Sequence, residues 1–241
     1  MAAGGSTPDR DLPIAEMGVV HPEGSSSPIP EATLARLPVY MRSLVEMADE
    51  GIGTVSSRQL ADLAGVNAAK VRKDLSHLGA YGKRGVGYDV DRLLAEIGGA
   101  LGGSLTPVVI VGAGNLGRAL SRYDGFMAGG FPVVAIVDSD RSLEGRVISG
   151  VSITHVDHMD EVVCATGCRL GIVATPAHAA QEAVDRLVGA GLRSILNFAP
   201  AVVSVPPEVQ LRKVDLATEL QILGYYEHVR TSSEAREQAA G

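Results

Sequence analysis

The 241-residue chain contains no tryptophan, three phenylalanines and two cysteines. Cys164 and Cys168 are too few for a disulfide framework and fit a reducing cytosol. Spaced i, i+4, they would share one helical face, but no third or fourth ligand stands nearby, so no metal is expected. Two small thiols, buried or partly buried, are the reading. No apolar run reaches the ~20 residues of a membrane helix. The N-terminus lacks the basic-then-apolar pattern of an export signal, so a cytoplasmic protein without a membrane partner is expected. A surplus of positive charge is missing too: the formal net charge is −7, which argues against a generally basic nucleic-acid coat. The shortage of aromatics does not preclude a core, because 46% of the residues are apolar. The length suits two modest domains.

Positive charge is concentrated instead. Residues 31–90 carry eight Lys/Arg against seven Asp/Glu. Within residues 70–84, Lys70, Arg72, Lys73, Lys83 and Arg84 face only Asp74. One basic stretch on an acidic body is what a local phosphate-contacting face looks like.

Residues 1–29 are rich in Gly, Ser, Pro and Ala without apolar period and read as a disordered tail, with residues 231–241 as a second one. The first domain is expected over residues 30–101. Leu34, Leu37, Met41, Leu44, Val45 and Ala48 form an apolar stripe at helical spacing, in which Pro38 predicts a kink or a restart. Ser56-Ser57 before Arg58-Gln59-Leu60-Ala61 reads as an N-cap and short helix. Gly65-Val66-Asn67 is a turn whose Asn67 can cap a second helix from Ala68 to Leu78. There Val71, Leu75 and Leu78 should face the core, leaving Ala69, Lys70, Arg72, Lys73 and Ser76 on the surface. Ser57 at the start of the preceding helix joins this face. Small residues at the start let a helix enter a major groove, and Lys or Arg can donate to guanine or to phosphates. The following glycine-rich segment, 79–88, predicts a wing of two short strands with Lys83, Arg84 and Gly85 at its tip. An arginine there suits a narrow, A/T-rich minor groove.

From residue 107 short β-branched runs alternate with helical stretches: 108–111, 133–137, 171–174 and 194–197. That alternation predicts a doubly wound parallel sheet with helices on both faces, over residues 105–214, after a glycine-rich linker at 98–104. The first run opens into Gly112-Ala113-Gly114-Asn115-Leu116-Gly117, a G-x-G-x-x-G directly after a strand. Gly112 permits the tight turn, Gly114 lets a pyrophosphate approach the backbone, and Gly117 lets helix and strand pack closely. The second run ends in Asp138, 26 residues after Gly112 and near the usual offset of ~20. A carboxylate there accepts ribose hydroxyls and repels a 2′-phosphate, favouring NAD(H) over NADP(H). Thr175-Pro176 and Asn197-Phe198 follow later strands and would flank the nicotinamide end.

His178 suggests a dehydrogenase acid/base, but no substrate-binding arginine or second catalytic group stands beside it, so no catalytic residue is assigned. The alternative reading is an NAD-dependent cytosolic oxidoreductase with structural N-terminal helices. A second alternative is a non-catalytic module for another nucleotide such as coenzyme A.

Over residues 30–230 the sequence resembles the redox-sensing transcriptional repressor Rex family. The carrying segments are Pro30-Glu31-Ala32-Thr33-Leu34, Val71-Arg72-Lys73-Asp74-Leu75-Ser76, Tyr81-Gly82-Lys83-Arg84-Gly85-Val86-Gly87-Tyr88, Gly112–Gly117, Asn197-Phe198-Ala199-Pro200 and Val214-Asp215-Leu216. The resemblance implies an α/β chain that is not an enzyme: an N-terminal winged-helix (helix-turn-helix) domain, a Rossmann-type domain and a C-terminal domain-swapped helix over residues 215–230. It implies a homodimer on palindromic duplex operator DNA, permitted by NAD+ and released by NADH. It makes Arg42, Tyr123 and Asp215 candidates for a switch linking cofactor, DNA domain and partner subunit. Leu216, Leu220, Leu223 and Tyr226 form a stripe that needs a covering surface, either in a partner or in the same subunit.

Overall fold

The structure is a computed structural model. It describes residues 29–80, 82–103 and 105–240 together with the short strand β1 (Val19–Val20); for residues 19–20 and 233–240 it describes the backbone alone. The rest of the 1–29 tail, Tyr81 and Ser104 lie outside the described residues. The chain divides into two units, with a boundary between Ser104 and Leu105, and the segment Ala15–Ser25 that holds β1 belongs to the second.

The first unit is built on α1 (Glu31–Asp49), whose buried face is Thr33, Arg36, Leu37, Tyr40, Ser43 and Leu44. This i, i+3, i+4, i+7 face differs from the expected stripe by one strip. Tyr40 and Arg36 are inside, whereas Val45 is exposed. The helix also continues through Pro38 without a restart. One lost backbone bond is outweighed by Leu37, Tyr40 and Leu44, which hold both sides of the proline in the core.

After β2 (Thr54–Val55), α2 (Ser57–Ala64) begins with Ser56 and Gln59 in a reciprocal capping box and ends at Gly65 in the left-handed region, φ 65°. Asn67 then caps α3 (Ala68–Ser76) by accepting from the Lys70 N–H at 2.8 Å. Each such cap contributes about 1 kcal/mol. Val71 and Leu75 are fully buried and Leu78 is partly so, beyond the helix end.

The expected wing hairpin is smaller than two paired strands. Lys83 and Gly87 exchange backbone bonds of 2.7 and 2.9 Å around a tight turn. The outgoing strand, β3 (Tyr88–Asp89), pairs antiparallel with β2. Gly87, at φ 101°, must be glycine, because a Cβ there would lie 2.3 Å from the Val55 carbonyl oxygen. Asp89 caps α4 (Val90–Ala100), which returns Val90, Leu93 and Ile97 to the same core.

The second unit alternates strands and helices: β4 (Val108–Val111), α5 (Asn115–Ser121), α6 (Asp124–Ala128), β5 (Val133–Asp138), β6 (Val147–Ile148), β7 (Val151–His155), α7 (Met159–Thr166), β8 (Leu170–Val173), α8 (Ala180–Gly189), β9 (Ser194–Asn197), β10 (Gln210–Lys213) and α9 (Leu216–Ala240). The sheet order is β1-β10-β9-β8-β4-β5-β7-β6, parallel from β10 to β7 with antiparallel edges. This is the doubly wound arrangement: β4 and β8 run parallel, and the order in which strands are added to the sheet reverses between them. Side chains of β4 alternate between faces: Val109 and Val111 join one core, Val108 and Ile110 another.

Two expectations about the tails are corrected. Val19–Val20 pairs with Leu211–Arg212, where β10 would otherwise leave an open sheet edge. At the other end, α9 runs past residue 230 to Ala240, through a segment rich in Ala, Glu, Gln and Arg, which favour helix. Among the thiols, Cys168 is buried but Cys164 is exposed.

Candidate functional site

In the first unit, α2, the Gly65 turn and α3 form a helix–turn–helix. Ala69, Lys70, Arg72 and Lys73 are exposed on α3, with Ser76 half-buried at its end. Lys83, Arg84 and Gly85 are exposed at the wing tip, and Gly85 has φ 83°. The Arg72 guanidinium donates to Ser57 Oγ at 3.1 Å, tying the two helices, and Ser76 Oγ donates to the Lys73 carbonyl at 2.6 Å.

Asp74 is not part of this surface. It is 2% exposed and accepts four hydrogen bonds from α1. Burial alone would raise its pKa, but the bonds from Arg36, Tyr40 and Thr33 outweigh that and hold the carboxyl below its ordinary value. Burial likewise pushes the Tyr40 phenol up, reinforced by its bond to Asp74. Because Arg36 neutralises the one acid of the basic stretch, its surface carries cations alone. Sequence reasoning missed Thr33, Arg36 and Tyr40. The signal was an arginine and a tyrosine in register with the apolar stripe.

In the second unit, the strand registers align Val111, Val137, Val173, Asn197 and Lys213 along one sheet edge. The predicted residues therefore meet: Gly112–Gly117, Asp138, Thr175-Pro176, Asn197-Phe198 and Asp215 all lie at or just beyond that edge, flanking the β4/β8 reversal.

The glycines there have different reasons. Gly112 has φ 103°, and a Cβ on it would come 2.6 Å from the Ala174 carbonyl oxygen. At Gly117 a Cβ would lie 1.8 Å from the Gly112 oxygen. Gly114, by contrast, has φ −70°, and a Cβ on it would meet nothing within 4 Å. The fold requires the outer two glycines but not the middle one.

Asp138 is held in place by its neighbours: the Ala113 N–H donates to Oδ2 at 2.6 Å and the Asp140 N–H to Oδ1 at 2.8 Å. The Arg118 guanidinium donates to the Ala113 carbonyl at 2.7 Å. Buried His155, opposite Asp138 in β7, places Nε2 3.1 Å from the Ser139 carbonyl. Both buttress the loops.

Thr175 Oγ1 is buried without a hydrogen-bond partner among the described residues. Asn197 spends its amide on its own loop, accepting from the Ala199 N–H at 2.9 Å and donating to the Ala201 carbonyl at 3.4 Å. Tyr123 is exposed and stacks edge-on with Phe126 at 5.2 Å. Asp215 pairs with Lys213 Nζ at 3.0 Å, and this bond, together with one from the Thr218 N–H, lowers its pKa. Exposed Arg42 lies in the first unit, Tyr123 and Asp215 in the second. His178 is exposed. No three His, Cys, Asp or Glu gather for a metal, and no helix is long and apolar enough to cross a membrane, among the described residues.

A helix–turn–helix unit joined to a dinucleotide-type sheet defines a two-domain protein of the ligand-responsive DNA-binding class. Comparisons agree on both halves. A family model described as "Putative DNA-binding protein N-terminus" matches residues 28–76, and one described as "CoA binding domain" matches residues 104–201. A "Redox-sensing transcriptional repressor Rex" of Streptomyces avermitilis is 50% identical over 91% of this chain and 87% of its own. That of Desulfitobacterium hafniense is 47% identical over 82% and 94% respectively. The crystal structure of RSP in complex with β-NAD+ and operator DNA matches with TM-score 0.80 at 32% identity, covering 88% of this chain and 98% of that one. RSP is described as a Rex-family repressor, and its complex with β-NADH matches with TM-score 0.77. The chain belongs to the Rex family of redox-sensing transcriptional repressors, which are not enzymes.

Proposed function

We propose that this chain works as a cytoplasmic homodimer that reads a palindromic duplex operator with its first unit and senses NADH against NAD+ with its second. NAD+ permits DNA binding and NADH releases it. The observation that carries the reading is Gly114: the fold does not require a glycine there, but a pyrophosphate approaching the backbone between Gly112 and Gly117 does. The residues fit the dinucleotide elsewhere as well. Ala113, Asn115 and Leu116 complete the phosphate loop. Asp138, prealigned by two N–H groups, accepts the adenine ribose hydroxyls and repels a 2′-phosphate. Thr175 offers a buried hydroxyl that has no partner among the described residues, beside Pro176, Asn197 and Phe198 at the nicotinamide end. Bound there, the nicotinamide supplies a ring that is cationic in NAD+ and neutral in NADH.

In the first unit Ser57, Ala69, Lys70, Arg72, Lys73 and Ser76 form the major-groove face, and Lys83, Arg84 and Gly85 the minor-groove tip. The C-terminal helix supports the dimer. Leu216, Leu220, Leu223 and Tyr226 are all more than half exposed, so the stripe is not covered within its own subunit among the described residues. A second copy that receives α9 covers it. Arg42, Tyr123 and Asp215 link the sites.

A ligand shifts such an equilibrium only through differential affinity, and the coupling is reciprocal. The test is fluorescence anisotropy of operator binding with and without NADH, paired with NADH affinity with and without saturating operator at one salt concentration. Each ligand is expected to weaken the other by the same factor; identical NADH affinities in the two cases would sink the switch. The family-model match favours coenzyme A as a second ligand reading. Competition of coenzyme A against NADH decides between them, and Asp138 leads us to expect NADH to win.

A further inference from the structure

Asp74 lies between exposed Lys73 and buried Leu75 on α3. Its Oδ1 accepts from Thr33 Oγ1 at 2.9 Å and Arg36 Nη2 at 2.7 Å. Its Oδ2 accepts from Arg36 Nε at 2.6 Å and Tyr40 Oη at 2.8 Å. All the donors stand on α1, and both carboxylate oxygens are engaged by a two-pronged guanidinium. Apolar contacts of Val71 and Leu75 hold α3 against the core but are not directional. A bidentate ion pair is directional and sets rotation as well as distance. Rotation matters here. Turning a helix by about 20° at a side-chain radius of roughly 5–6 Å moves a tip by about 2 Å, enough to break a hydrogen bond to a base edge. Bonds to phosphates tolerate such a shift better, because Lys and Arg stems are long and the backbone charge is spread along the duplex.

We propose that Asp74 is a positioning residue for DNA reading. Through Arg36, Tyr40 and Thr33 it fixes the rotation of α3, so it governs discrimination between operator and other DNA rather than affinity for DNA as such. This rests on the DNA-reading role of α3.

The test replaces the cluster with apolar residues of similar size: Thr33→Val/Arg36→Met/Tyr40→Phe/Asp74→Leu in the full chain. Replacing a buried ion pair in this way is often neutral or stabilising, so thermal stability should hold. The probes are a palindromic duplex selected by the wild-type protein from a randomised library and a scrambled duplex of the same composition. Affinity for the selected duplex should fall about tenfold or more, with affinity for the scrambled duplex unchanged. A merely structural cluster predicts an unaltered ratio once stability is restored, and that result would overturn the proposal. Should the fourfold variant not fold, Arg36→Lys carries the question. It keeps the charge and loses the fork, and is expected to lower the ratio; a wild-type ratio overturns the proposal. Lys73→Ala serves as a contrast and should weaken both duplexes. Failure of the wild-type protein to select any duplex would instead remove the DNA-reading role itself.

Discussion

In the first unit the buried carboxylate of Asp74 has four donors, whereas in the second the buried hydroxyl of Thr175 has no partner among the described residues. The contrast fits the roles proposed for the two units. A recognition helix must hold one orientation before it meets DNA, so its buried polar groups are satisfied within the fold. A ligand site must keep bonding capacity for something that comes and goes. An unsatisfied buried group costs the free protein and is repaid on binding.

The largest effect should come from breaking the satisfied cluster on one side. Arg36→Ala leaves the Asp74 charge buried and unpaired, and roughly 3–5 kcal/mol of stability should disappear. Calorimetry should show the first unit melting early while the second keeps its transition and its NADH binding. Acid reaches the same cluster. Asp74 has a lowered pKa in the folded state, so its stabilisation is present above the unfolded carboxylate value of about 3.9 and lost as pH falls below it. Circular dichroism on acidification should find the first unit unfolding over that window in the wild type, and Asp74→Asn should remove the dependence.

Next come the glycines that separate fold from ligand. Gly117→Ala drives a Cβ into the Gly112 carbonyl and should cost roughly 1–3 kcal/mol or more of second-unit stability. Gly114→Ala should leave the melting temperature unchanged and still weaken NADH. Loss of stability at Gly114, or none at Gly117, would break the assignment.

Thr175→Val sharpens the comparison with smaller effects of opposite sign. Removing a hydroxyl that has no partner among the described residues should stabilise the ligand-free second unit by up to about 1–2 kcal/mol, while NADH affinity falls. Thr175→Ser should keep wild-type behaviour. A destabilised valine variant with unaltered NADH affinity would mean that the hydroxyl serves the fold. The smallest effect belongs to the exposed Arg92–Glu96 pair at 2.8 Å. Arg92→Ala should change stability by no more than about 0.5 kcal/mol in thermal melts.

Much of this was legible along the chain because it is local. The capped helices around Gly65, the β-branched run entering Gly112–Gly117 and the strand ending at Asp138 are each specified by residues a few positions apart. Their periodicity and turn chemistry therefore carry the reading. Strand β10, Gln-Leu-Arg-Lys, has too little apolar character to stand out. It exists because β9 offers a parallel edge and Val19–Val20 pairs on its other side. At Pro38 the restart allowed by its local penalty does not occur, because the core on both sides carries the helix through.

The sequence by itself determined the two classes of unit, the cation-bearing face of α3 and the glycine–aspartate frame of the nucleotide site. Only the tertiary structure decided that Asp74 belongs to the interior, that Val45 faces out and Tyr40 in, and that Thr175 keeps a buried hydroxyl without a partner among the described residues. These depend on partners 34 to 41 residues away, as for Asp74, or on how neighbouring strands set their ends in register. Hydrogen bonding depends on direction and distance in space, and helical or strand period specifies only which face a residue is on, not what that face will meet.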